Sequence, residues 1–208
     1  MMKKLLSTSV AGLLIASAFP TFAASTVDLS VKGLIVPSAC TPSLSATTVD
    51  VGRISVKDLN PEASTWLTPT TLQLGIDCEA PTLFAMQTTD NRADSGDIGR
   101  YGIGKTLAGE RIGGYIMLLD KGVADGAAVT HIFSMDNGAS WGTHDPDTNW
   151  SKNLIISIRD PNAGRIPVAA KNTAMELAVR PFILAAKNLT LTDDTPIDGS
   201  VTIQVKYL

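Results

Sequence analysis

The sequence has little with which to hold a phosphate backbone, a metal ion or a bilayer. Lysine and arginine together number 17 against 20 aspartates and glutamates, and no basic patch could neutralise a run of phosphates, which argues against nucleic acid as a partner. Beyond Ala24 no apolar run is long enough for a transmembrane helix, so no stable membrane insertion is expected. His131 and His144 are the only histidines, and their spacing to Asp136, Asp145 or Asp147 matches no metal-ligand frame. Asp145-Pro-Asp-Thr-Asn149 lacks the glycine and the distal glutamate of a calcium loop. We therefore expect no metal and no cofactor, and read both histidines as exposed polar loop side chains. No internal repeat, low-complexity tract or long segment of 3.6-residue periodicity is present, which leaves short strands as the building material.

What is present begins with Met1-Met2-Lys3-Lys4, an apolar stretch from Leu5 to Phe19, and Pro20-Thr21-Phe22-Ala23-Ala24. A basic start, a short apolar run and a small-residue site make a secretory leader, residues 1–23, cleaved after Ala23 or Ala24. Export bears on Cys40 and Cys78. A lone cysteine pair in an exported protein reads as a disulfide rather than a metal or redox site. Closing that loop stabilises by roughly 4 kcal/mol in the chain-entropy account.

Alternation dominates both ends. Val27, Leu29, Val31, Gly33 and Ile35 share one face of an extended segment just after the leader, ending at Pro37. Such an arm wants a sheet to join, and Gly33 marks close backbone approach. At the far end Val201, Ile203, Val205 and Tyr207 alternate with Thr202, Gln204 and Lys206, after the turn residues Asp198-Gly199. Between them, Leu72, Leu74, Ile76 and Cys78 share a face of a strand over 70–78, so the cysteines staple the first two sandwich strands. Further strands are expected around 84–86, 115–119, 129–134, 154–159, 175–184 and 188–192, with loops and one short helical turn over 90–114. Turn signals at Asp125-Gly126, Asn137-Gly138, Asp160-Pro161 and Asp193-Asp194 separate them. The fold expected is an all-β sandwich in one domain.

These features resemble a chaperone–usher fimbrial subunit. Asp28-Leu-Ser-Val-Lys-Gly-Leu-Ile-Val-Pro-Ser-Ala-Cys40-Thr is similar to a pilin N-terminal extension running into the first strand, and Gly199 to Leu208 to a pilin's last strand with its penultimate tyrosine. The likeness covers the ends well and the middle poorly, with excess chain between about residues 90 and 150; it is nearest to the longer fimbrial-like proteins without an assigned function. The resemblance implies an incomplete immunoglobulin-like sandwich, residues 37–208, preceded by a donor-strand arm, residues 24–36. It implies that Val27, Leu29, Val31 and Ile35 are donor side chains, and that Gly33 sits where a side chain would clash. Gly199, Val201, Ile203, Val205 and Tyr207 would form the groove-edge strand that pairs with a chaperone. The partners implied are a periplasmic chaperone, an outer-membrane usher and neighbouring subunits in a head-to-tail polymer that supports adhesion. Its place would be the periplasm in transit and then a cell-surface fimbrium.

Three other patterns compete. Ser134-Met-Asp136-Asn-Gly138-Ala-Ser140-Trp141 fits the Asp-box turn of sialidase propellers, but one copy in so short a chain reads as a hairpin. Ser140, His144 and Asp145 hold triad residue types within six positions, with no nucleophile elbow, so no enzyme is expected. Trp141 and Trp150 flank an acidic loop, which gives the alternative reading: a secreted carbohydrate-binding module working through residues 136–150, with a host glycan as partner.

Overall fold

The computed structural model describes Ser30 and residues 39–208. The leader and the arm, including Val27, Leu29, Val31, Gly33 and Ile35, lie outside the described residues.

Among the described residues eleven strands follow one another: β1 (Cys40–Leu44), β2 (Thr65–Trp66), β3 (Thr70–Thr82), β4 (Phe84–Asp90), β5 (Tyr101–Gly102), β6 (Gly113–Ala124), β7 (Ala127–Ser134), β8 (Gly142–His144), β9 (Ile155–Arg159), β10 (Ala170–Ile183) and β11 (Val201–Tyr207). All pairings between them are antiparallel, in the order β1-β3-β10-β6-β7-β9-β4-β11, with β2 on β10, β5 on β6 and β8 on β7. The sheet folds over on itself as an all-β sandwich, nearly barrel-like.

The period of two explains which side chains fill it. On β3, Leu72, Leu74, Ile76 and Cys78 are buried while Thr71, Gln73 and Asp77 face solvent. On β10, Met175 and Leu177 face the same interior, opposite Leu74 and Leu72. Across the interior stand Phe84 and Met86 of β4 and Ile156 and Ile158 of β9. β6 lies between β10 and β7, and Tyr115, Met117 and Leu119 enter the core from it. The hairpin from β6 to β7 turns on Asp125 (φ 49°) and Gly126 (φ 84°), the positive-φ pair a two-residue turn needs. The Asp125 carboxylate accepts the Lys171 and Asn172 backbone N–H groups, which fastens this turn to β10 and holds its own pKa below the ordinary value.

Cys40 and Cys78 are directly opposed residues of β1 and β3 and are joined by a disulfide. Thus the expected staple is present between the expected strands.

Two expectations are corrected. Residues 188–192 form no strand: Ala186–Asn188 is a 3-10 turn, and the segment's backbone groups go elsewhere. Ala186 and Lys187 N–H donate to the Asn60 and Pro61 carbonyls, and Thr190 N–H donates to Glu110 Oε2 at 2.7 Å. With those groups spoken for, there is no ladder to join. The second correction concerns residues 90–114. No helix element forms there, only a hydrogen-bonded turn over residues 91–95 in which the Ser95 N–H donates to the Arg92 carbonyl at 2.9 Å. The stretch is not all loop, since β5 carries Tyr101 into the core. Tyr101 O–H donates to the Trp150 carbonyl at 2.7 Å and accepts from Thr88 Oγ1 at 2.7 Å. Gly102 beside it must be glycine, since a Cβ would run into Ser95 Oγ and the Arg92 carbonyl. The buried Asp90 carboxylate completes the knot, taking Arg92 and Gly102 N–H and Lys152 Nζ at 3.2 Å. Residues 90–102 are therefore built into the sandwich rather than hung on it.

Candidate functional site

The two strands at the ends of the sheet order determine the site. β11 pairs with β4 along its whole length, from Val201 opposite Asp90 to Tyr207 opposite Phe84. Its other edge pairs with no described strand, and neither does the outer edge of β1. An edge strand of this kind keeps alternate backbone N–H and C=O groups free for an incoming chain. At one end the two edges meet. Tyr207 reaches across, and the Cys40 N–H donates to its phenolic oxygen at 2.9 Å, next to the disulfide. Away from that point they diverge, and residues 45–54 and 193–200 form the walls of the gap.

The gap is a groove of about 1110 Å³. Leu72, Met117, Leu177 and Val179 form its apolar floor, with Tyr115 and Ile183 beyond them. Val201 and Ile203 project from β11 into it and are only half-buried, although they pack against the core. Gly199 lies against Tyr115 and Ile103, where a Cβ would come within 3.0 Å of the Tyr115 ring. Asp193, Asp194 and Asp198 make one lip acidic, and Arg92 holds Asp198 through two hydrogen bonds at 2.6 and 2.9 Å. Burial pushes the Tyr115 hydroxyl pKa upward from its ordinary value.

Of the residues expected at a groove edge, Gly199, Val201 and Ile203 line it. Val205 and Tyr207 stand toward the closed end, where Tyr207 serves as the latch to β1. The wall of residues 45–54 carries no periodicity to announce it. Val49 and Ile54 reach the core from an irregular path, so only their apolar character could have pointed there.

The competing patterns resolve into structure. Ser134 O–H donates to Asp136 Oδ1 at 2.6 Å, the Ser140 N–H donates to the same oxygen at 2.9 Å, and Ser140 O–H donates to Asp136 Oδ2. These bonds hold the Asp136 carboxyl down at about 2. The Ser140 hydroxyl is thus committed to Asp136, and no hydrogen bond joins it to His144. Gly138 (φ 99°) turns the chain close to Trp141, and β8 then pairs back on β7, as a hairpin should.

The histidines overturn their expectation. His131 and His144 are directly opposed across β7 and β8, 4% and 3% exposed, with rings edge to face at 6.5 Å. His131 Nε2 and both His144 ring nitrogens find no hydrogen-bond partner. Neutral imidazole fits such a pocket, and burial lowers His131 to about 4 and lowers His144 as well. Their burial follows from β8, a three-residue strand that no alternation in the sequence announces. Trp150 is fully buried and cannot offer a face to a sugar. Among the described residues no group of three or more potential metal ligands gathers.

Residues 29–99 match a protein family described as "Protein of unknown function (DUF1120)". The match runs from the arm through β4 and takes in the disulfide and the irregular groove wall. No curated protein matches the chain.

Proposed function

We propose that the chain is a structural subunit of a fimbria-like surface fibre, joined to its neighbours by strand addition at this groove. The observation that carries the reading is the groove itself: an apolar floor left open between two unpaired edge strands of an otherwise continuous sheet. An extended segment laid along β11 would satisfy the free edge groups and place alternate side chains on the floor. The segment residues 25–36 has the period of two that this needs, with Val27, Leu29, Val31 and Ile35 on one face and Gly33 among them.

In this account the arm of one subunit enters the groove of the next, and repetition of a contact that does not close on itself gives a filament. A periplasmic chaperone would fill the groove beforehand, pairing with the strand that holds Gly199, Val201, Ile203, Val205 and Tyr207. An outer-membrane usher would exchange the chaperone strand for the arm. No catalysis is assigned to the chain, and adhesion would be a property of the fibre. A glycan module built on residues 136–150 has less to support it, because Asp136 is spent on its own turn and Trp150 on the core.

Paired cysteines test the contact. Chains carrying both Val31→Cys and Ile203→Cys should, under mild oxidation, form a ladder of covalent multimers that reducing agent collapses. Either substitution alone should give dimers at most. A double variant that stays monomeric while assembled into fibres contradicts the reading.

A further inference from the structure

β10 serves two faces of its layer. Leu177, Val179, Pro181 and Ile183 line the groove, while Ala178, Arg180 and Phe182, which alternate with them, take the opposite, outer face. There Phe182 is directly opposed to Trp66 of β2, and the two rings lie 5.0 Å apart at 48°. Trp66 covers Phe182 yet is itself 49% exposed. Arg180 sets its guanidinium 5.6 Å from the Trp66 ring, and Arg100 sets its own 5.2 Å from the Phe182 ring. Arg111 borders the shallow recess beside Phe182 and is held there by donating to the Gly96 carbonyl at 2.7 Å.

Three of the chain's seven arginines gather here, in a protein whose formal net charge is −3. Their local compensation is slight. Arg180 enters no ion pair among the described residues, and Arg100 meets only Asp97, at 3.7 Å. Glu176, four residues back along β10, is taken by Lys121 at 3.3 Å. Two of the guanidiniums thus lie over aromatic rings, and a planar guanidinium can grip a carboxylate with two parallel hydrogen bonds. The half-exposed indole beside them supplies an apolar platform for a sugar ring.

We infer that this outer-face cluster of Trp66, Arg180, Arg100 and Arg111 is a binding site for a carboxylated saccharide. The indole packs on the ring and the arginines take the acid group. The site rests on no part of the strand-addition reading, and because it lies on the face away from the groove, a donor strand would leave it open. In a fibre it would recur once per subunit, so weak single contacts would sum.

The test uses residues 24–208 and 3′-sialyllactose, followed by calorimetry and tryptophan emission. Lactose serves as the uncharged sugar and citrate as the carboxylate without a sugar. Saturable binding of sialyllactose at least about tenfold tighter than either control is expected. Arg180→Gln and Trp66→Leu should each weaken it about tenfold, Arg180→Lys should weaken it too by losing the fork, and Arg92→Gln, paired elsewhere with Asp198, should leave it unchanged. Thermal midpoints identify any variant that fails to fold, and the solvent-facing Arg180→Lys keeps the test decisive. The inference is overturned if sialyllactose does not bind, if lactose or citrate binds as well, or if folded Arg180→Lys and Trp66→Leu bind like the parent.

Discussion

At the scale of single residues, the buried histidine pair makes the protein's stability depend on pH in a defined direction. A buried imidazole that resists protonation has a folded pKa below its unfolded value of 6.5, so the unfolded chain binds protons first as pH falls. Stability is then complete above about pH 6.5 and declines between there and about pH 4, where His131 itself takes a proton. A shift of that size corresponds to about 3 kcal/mol from His131. Asp120 lies near His131 and Asp145 near His144, and both favour the charged form without overcoming burial. Urea midpoints measured from pH 7.5 to 4 should fall along this limb, and His131→Leu should flatten it. Asp136 acts in the same direction at lower pH, because its carboxyl is also held below its ordinary value and its stabilisation is lost as pH falls. Its two serine partners hold the turn after β7, so Asp136→Ala should lower the urea midpoint in the same assay.

At the scale of elements, the latch and the open edge make separable predictions. Tyr207→Phe removes the acceptor of the Cys40 N–H and should lower stability by about 1 kcal/mol without closing the groove. Ile203→Asp places a charge on the groove wall. It should leave the β11–β4 ladder and the far-ultraviolet spectrum intact while abolishing binding of a peptide of residues 25–36. Reduction of the disulfide between β1 and β3 should cost roughly 4 kcal/mol, since it holds a 38-residue separation closed.

The strands of this sheet were legible where burial on one face writes a clean alternation. β3 and β11 are the clearest cases, with Leu72, Leu74, Ile76 and Cys78 in one and Val201, Ile203 and Val205 in the other. Turn chemistry placed the Asp125-Gly126 hairpin in the same way. What stayed hidden depends on long-range partners. Residues 188–192 alternate like a strand but lose their N–H groups to Glu110 and to turn bonds. β5 and β8 are too short to show a period, and so Tyr101 and His144, which they bury, could not be assigned to the core. Half of the groove was readable from β11. The irregular wall at residues 45–54 was not, because nothing local specifies that those residues stop short of β11.

At the scale of the whole molecule, the proposed fibre requires that the sandwich of residues 39–208 be one strand short, and that the segment before it supply that strand to another copy. Burying a Val, Leu or Ile side chain contributes about 1.5–3 kcal/mol, so four donor residues on the groove floor amount to several kcal/mol even with incomplete burial. A ligand bound with that energy raises the unfolding temperature by mass action. The most direct measurement is the thermal midpoint of residues 37–208 with and without a synthetic peptide of residues 25–36. The account predicts a rise of roughly 10 °C or more with slow peptide release, absent for the Gly33→Leu peptide. A truncated protein that is already stable, and whose midpoint ignores the peptide, would contradict it.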